Sequence, residues 1–226
     1  MAKKKVFLSP SDQWGNTYAT YGTREQVQCE NIAQACKTAL ERSGVEVKVA
    51  VNDKDWTYEH VTVSNNWAPD LHVPIHTNAL NGKTGGTQVY YGAIGEKRAR
   101  KMFDILSAVF PESLPHSAAK IDGTYGQKQG WAELNRINAY TLYLECNFHD
   151  VKEISDFIVT HITEIGEAIA EGICAVLEVP FVKKQPAEAG GKLYRVQVGA
   201  FKSKENATAY MEQVKKAGFP AFIVEA

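Results

Sequence analysis

"EQVQCENIAQACKTALERSGVEVKVAV", Glu25 to Val51, decides the fold. Cys29, Ile32, Ala33, Cys36 and Leu40 recur at three- and four-residue steps, so one apolar stripe runs down an amphipathic helix. Gly44 stops that helix, and Thr23 followed by Gln26 predicts a capping box at its start. "VEVKVAV" then alternates as a strand. "KVFLS" at Lys5–Ser9 reads as a short buried strand ahead of the helix, so the unit is strand, helix, strand. That order implies parallel strands with the helix crossing over one face.

Further along the chain the alternation repeats. "DLHVPIHTNA" (70–79) reads as strand and exit loop, and "TQVYYG" (87–92) as a candidate strand. "GEKRARKMFDILSAVF" (95–110) reads as a helix with Ala99, Met102, Phe103, Leu106 and Val109 or Phe110 inward. "YTLYLECNF" (140–148) is the last strong strand, with Glu145 read as its end. Asp150 and Glu153 predict a second capping box, opening one helix through about Leu177 on the stripe Ile154, Phe157, Ile158, Ile165, Ile169 and Ile173. Residues 52–69, polar with scattered aromatics, receive no element. The class is α/β, a mostly parallel twisted sheet flanked by helices, whose ligands sit where strands end.

Residues 1–181 form the main domain, and "VKKQPAEAGG" (182–191) reads as a linker rich in Pro, Ala, Gly and charge. Residues 192–226 read as a strand to Phe201, a helix from about Lys204 to Ala217 and a final strand, a small C-terminal βαβ segment. A piece of that size lies below the roughly 40 residues at which a core is self-sufficient.

The chain of 226 residues, 44% hydrophobic, buries one sizeable core. Lys+Arg 25 against Asp+Glu 26 leaves no global field to draw it onto nucleic acid. Cys29, Cys36, Cys146 and Cys174 are scattered without a CxxC pair, which argues for buried thiols rather than a thiolate zinc cluster or a disulfide framework. No apolar run approaches the roughly 20 residues of a membrane span, so no membrane insertion is expected. "MAKKKVFLSPSDQ" has too short an apolar stretch for a secretory signal, which predicts synthesis in the cytoplasm without a signal peptide.

Glu25 in the first turn of a helix, His76 after "LHVPI" and Glu145 on the last strand are the groups suited to metal binding or proton transfer. Zinc hydrolases need a few rigid N/O ligands and a carboxylate to move a water proton. Each residue has an ordinary alternative: the helix macrodipole favours Glu25, His76 can bond a turn backbone, and Glu145 can be a solvated strand end.

"DLHVPIHTNALNGKTGGTQVYY" resembles the His-Asn-Ala segment, Gly-rich turn and strand of zinc-dependent N-acetylmuramoyl-L-alanine amidases of the amidase_3 type. "TLYLECNFHD" is similar to that family's last core strand with its catalytic glutamate, and "EQVQCENIAQACKTALERSGVEVKV" to its glutamate-led first helix and second strand. The resemblance covers about Lys5 to Leu177. It implies that Glu25 and His76 bind Zn2+ and that Glu145 moves the proton of the water attacking the amide between N-acetylmuramic acid and L-alanine. It also implies a substrate-side place for Asn78.

One departure stands out. The family's first strand ends in Gly-His, the histidine being a zinc ligand, whereas "VFLSPSDQWGN" offers none, and Asp12 is the nearest charged oxygen, with Ser11, Gln13 and Asn16 weaker candidates. His72 shares a face with His76, but four strand residues separate them by roughly 13 Å, too far for one ion. It reads as a core or supporting residue. His60, His116, His149 and His161 read as surface, with His116 a candidate substrate-loop residue. The loop segment "HSAAKIDGTYGQKQGWAELNRINA" (116–139) offers Trp131, Tyr125 and Arg136 as substrate contacts, with ordinary surface packing as the alternative for each.

"YRVQVGAFKSKENATAYMEQVKKAGFPAFIVEA" resembles the first half of a SPOR domain, which recognises peptidoglycan glycan strands stripped of stem peptides. A second copy of the chain completing the sheet would give a homodimer through this half-module. The expected function is wall lysis by a zinc amidase, as an endolysin or a mother-cell lytic enzyme acting on the wall after release. The alternative is a non-catalytic wall-binding protein on an amidase scaffold.

Overall fold

The computed structural model describes residues 3–51, 57–185, 197–219 and 221–224. The strands are β1 (Lys5–Pro10), β2 (Glu46–Val49), β3 (Leu71–Asn78), β4 (Gln88–Tyr91), β5 (Lys120–Asp122) and β6 (Tyr140–Phe148). They form one sheet in the order β2-β1-β3-β6-β4-β5. The first four of that order are parallel, β4 runs antiparallel to β6, and β5 is parallel to β4. The expected first unit is present as β1, α1 (Glu25–Arg42) and β2.

Side chains alternate between the two faces of each strand. Val6, Leu8, Leu71, Val73, Ile75, Val89, Leu142 and Leu144 face one side. There they meet the stripes of α1, α3 (Glu96–Ser107) and α7 (Ile162–Leu177), through Ile32, Cys36, Leu40, Met102, Leu106, Ile165, Ile169 and Ile173. The close approach of α7 to α1 depends on Gly166, where a Cβ would lie 2.5 Å from Ala35 Cβ. All four cysteines are buried free thiols, as expected.

The opposite face is polar yet also buried. Ser9, His72, His76, Thr141, Tyr143, Glu145, Gln88 and Tyr90 point there. Over part of it lie α2 (Thr57–Trp67), inside the stretch that the sequence left unassigned, and the short α5 (Ala132–Asn135) after α4 (Tyr125–Lys128).

Several local expectations give way to tertiary contacts. The first capping box does not form: Arg24 is the N-cap of α1 without a side-chain bond, and Thr23 Oγ1 instead accepts from Gln28 Nε2 at 2.7 Å. The helix expected after Asp150 is two, α6 (Lys152–Thr160) and α7, parted at His161. Asp150 does not cap it; its Oδ2 takes bonds from the backbone N–H groups of Leu80 (2.9 Å) and Gly82 (2.8 Å). Glu145 is not a strand end, because β6 continues to Phe148.

In the C-terminal segment α8 (Lys204–Lys216) stands where expected, with Ser203 accepting from Asn206 N. The strands expected on either side are not seen among the described residues, and part of the first falls outside them. Val198, Phe201, Phe219, Phe222 and Val224 are exposed there, and α8 has no buried residue. Extended segments without a ladder partner have little to hold them as strands.

Candidate active site

Three elements bring the site together. β3 presents His76 near its C-terminal end, and Cα register pairs His76 with Glu145 on β6. Glu25 opens α1, its backbone N–H bonded to Asn16 O at 2.9 Å. Its Oε1 lies 3.0 Å from His76 Nδ1, and both side chains are buried. Asn16 Nδ2 donates to Glu25 Oε2 at 2.6 Å and to Gln13 Oε1 at 2.8 Å, and Gln13 Nε2 lies 3.4 Å from His76 Nδ1. The His76 ring stacks on Tyr143, centroids 4.7 Å apart.

Charge is concentrated here. Burial opposes ionisation of Glu25, but the hydrogen bond and charge of His76, with bonds from Asn16 and Ser11, hold its carboxyl below the usual range. Burial pulls His76 down, yet Glu25's hydrogen bond and charge, with the charges of Glu145 and Glu133, hold it up at about 9. Glu145 is pushed up to about 8, first by burial, with His76 opposing and Glu25 adding. Among the described residues, Glu145 Oε2 is buried without a hydrogen-bond partner. A buried polar atom in that state is costly unless something engages it.

The metal expectation can be tested on this donor set. One imidazole nitrogen and one carboxylate oxygen converge at 3.0 Å, a geometry that fits two ligands of one zinc ion, with an unengaged carboxylate across the strand register. Among the described residues no three His, Cys, Asp or Glu side chains cluster to hold a metal. Asp12 is half-buried, and no bond joins its side chain to Glu25 or His76; Gln13 occupies that place.

The other sequence candidates scatter. Asn78 Nδ2 donates to Gln88 Oε1 (3.1 Å), and Gln88 sits opposite Glu145 in register. Trp131 is half-buried, its ring 4.7 Å from that of Tyr143 and 5.0 Å from that of Tyr90, so it belongs to an aromatic wall beside His76. Tyr125 lies at the exposed end of that wall, 43% accessible. Arg136 is an exposed residue closing α5, its carbonyl bonded to Asn65 Nδ2. His116 is exposed at a cavity of about 420 Å³ lined also by Thr87, Phe110 and Asn147.

Two histidines expected at the surface are buried. His149 stacks flat on Tyr18 (4.9 Å) and bonds Thr77 Oγ1 (2.9 Å), pinning the loop before α1 to the end of β3. Burial holds its pKa down. His60 bonds Ser9 Oγ at 2.8 Å. Ser9 Oγ also donates to Glu133 Oε1, which lies 3.0 Å from His72 Nε2, while His72 Nδ1 lies 2.9 Å from Ser64 Oγ. His72 is thus a buried supporting residue.

Residues 10–175 match the N-acetylmuramoyl-L-alanine amidase family, Amidase_3. The chain belongs to this family. Residues 179–225 match the SPOR domain. The chain is 27% identical over 97% of its length, and 84% of the relative's, to the sporulation-specific N-acetylmuramoyl-L-alanine amidase of Bacillus subtilis (strain 168). Its fold is that of the amidase AmiC2 of Nostoc punctiforme, with TM-score 0.66 at 17% identity over 78% of this chain and 98% of that one. The catalytic domain of CwlV from Bacillus (Paenibacillus) polymyxa var. colistinus superposes with TM-score 0.63 at 18% identity, covering 78% of this chain and 99% of that one.

Among this amidase's site residues, Tyr143 and Gln88 escaped the sequence reading, whereas Asn16, a weaker ligand candidate there, bonds Glu25 instead. Tyr143 was findable, since it stands two residues before Glu145 and so on its face. Gln88 was not, because only strand register places it opposite Glu145.

Proposed function

We propose that this peptidoglycan amidase uses zinc held by Glu25 and His76 to hydrolyse the amide between N-acetylmuramic acid and L-alanine. The observation that carries the reading is the Glu25–His76 contact of 3.0 Å beside the buried Glu145 Oε2, which has no hydrogen-bond partner among the described residues. When bound, zinc would polarise the scissile carbonyl and acidify a water. Glu145 takes a proton from the attacking water as the new C–O bond forms. It returns that proton to the alanine nitrogen as the C–N bond breaks, leaving a carboxylate on the muramic acid and a free amine on the peptide. Tyr143, stacked on His76, fixes the imidazole plane, and the wall of Trp131 and Tyr90 offers apolar surface to a sugar ring.

The SPOR match supports attachment to glycan strands, with the exposed apolar residues around α8 paired against a second copy of the chain. The Bacillus subtilis relative is named sporulation-specific, which favours mother-cell lysis over an endolysin role.

Digestion of purified peptidoglycan should release soluble peptides bearing new alanine amines without new reducing sugar ends. Chelation should stop the release and zinc restore it. The absence of a histidine after β1 favours the second reading, a non-catalytic wall binder, and sedimentation with peptidoglycan but no release in excess zinc would establish it.

A further inference from the structure

We propose that Gln13 supplies the third protein ligand of this centre through its carboxamide oxygen. The proposal rests on the zinc reading of the site and concerns the position where the family's first-strand histidine is missing.

The hydrogen bonds around His76 contain a contradiction. Its Nδ1 lies 3.0 Å from a carboxylate oxygen of Glu25, which needs Nδ1 to donate, and 3.4 Å from Gln13 Nε2, which needs it to accept. One ring nitrogen cannot do both. A cation on this spot resolves the conflict, because Nδ1 and Glu25 Oε1 then both present lone pairs to it. A half-turn of the Gln13 amide, which interchanges two nearly isosteric atoms, points its oxygen the same way. Gln13 is exposed, so the turn meets no packing barrier, and it exchanges a single neutral bond to Asn16 Nδ2 for a ligand bond.

The loop is already laced where such a ligand belongs. Ser11 N donates to Ile75 O (2.9 Å), Gln13 N to Ser11 Oγ (3.2 Å), and Glu25 N to Asn16 O (2.9 Å), tying the exit of β1 to β3 and to α1. Charge points the same way. A carbonyl oxygen, like the imidazole it replaces, is neutral, so zinc with one glutamate keeps a net positive charge with which to acidify water. Asp12 would cancel that charge, and its side chain makes no bond to the site.

Metal-free protein spanning residues 1–226 is titrated with cobalt(II), following its visible ligand-field absorption, and zinc affinity is measured by competition with a chromophoric chelator. Wild type should bind one ion. Gln13→Ala should weaken binding by at least about tenfold, the low end of what even indirectly acting groups cost, and alter the cobalt spectrum. Gln13→His should tighten binding and shift the spectrum as nitrogen replaces oxygen. Asp12→Ala should remain within about twofold of wild type. The position of Gln13 on the surface keeps these variants folded, which thermal melts check. If Glu25→Ala and His76→Ala abolish binding while both Gln13 variants behave as wild type, or Asp12→Ala alone weakens it, the Gln13 proposal fails and the zinc reading stands. Wild-type binding by Glu25→Ala and His76→Ala overturns both.

Discussion

β3 carries two buried histidines on one face, four residues apart, and each is paired with a glutamate at 3.0 Å: His72 with Glu133, His76 with Glu25. The pairs are alike in contact and unlike in surroundings. Around His72, Ser64 takes the second ring nitrogen, while Ser9 and through it His60 close on Glu133, so the cluster bonds α2 and α5 to the sheet. Around His76 and Glu25 the neighbours are Gln13 and Asn16 from a loop, and across the register Glu145 keeps an oxygen without a partner among the described residues. The first pair holds elements together. The second is left with an unspent acceptor, which is what a reactive centre requires.

The largest effect that tests this division falls on activity. Glu145→Gln should cut peptide release from peptidoglycan by about 10²- to 10⁴-fold, the worth of a proton-transferring group, without lowering the melting temperature. Retained activity would remove Glu145 from the chemistry. The next falls on stability: Glu133→Ala strands His72 and should cost about 3–5 kcal/mol in urea unfolding, as for other broken buried pairs. Glu25→Ala should cost clearly less, because Gln13 stays beside the freed His76 Nδ1 and the charge of Glu145 still acts on the ring. Equal losses would erase the distinction between the two pairs.

The sequence showed the second pair more readily than the first. Glu25, His76 and Glu145 each stand at a recognisable place, a helix start or the C-terminal part of a strand, and such places converge in a parallel sheet. The first pair needed Glu133, which lies in a one-turn helix, and His60, which lies in the stretch without apolar periodicity, so neither gave a local signal. His60 and His149 read as surface because their flanks are polar, whereas tertiary bonds to Ser9 and Thr77 bury them. The break at His161 was hidden by the seven-residue step from Ile158 to Ile165, which a continuous helix also satisfies. β5, three residues long, is shorter than any periodicity can show.

Ser9→Ala gives a finer cut. It removes the hydroxyl between His60 and Glu133 but leaves the His72–Glu133 contact, so about 1–3 kcal/mol should be lost, the cost of leaving buried polar atoms unpaired. Peptide release should be unchanged at a temperature where the variant is folded. A loss of activity in the folded variant would mean that the two pairs are coupled, not merely adjacent.

The smallest difference is one of sign, read as the pH dependence of stability in chelator. Glu145, raised from 4.5 to about 8, and His76, raised from 6.5 to about 9, both bind protons more tightly folded than unfolded. Their contribution is therefore fully present below the unfolded values and is lost as pH rises through about 8 and then about 9. Glu133 and Glu25 have the opposite sign: held below 4.5, they lend stability above that value that is lost only as pH falls through their lowered ones. Between pH 6.5 and 8, above the ordinary value from which burial lowers His149 and below the 9.0 from which burial raises the thiols, the decline thus belongs to His76 and Glu145, and none of it to the Glu133 carboxyl. Urea midpoints across that range should fall for wild type and for Ser9→Ala alike. They should flatten when Glu145→Gln and His76→Gln are combined, and a decline that survives the double variant would place its origin outside the site.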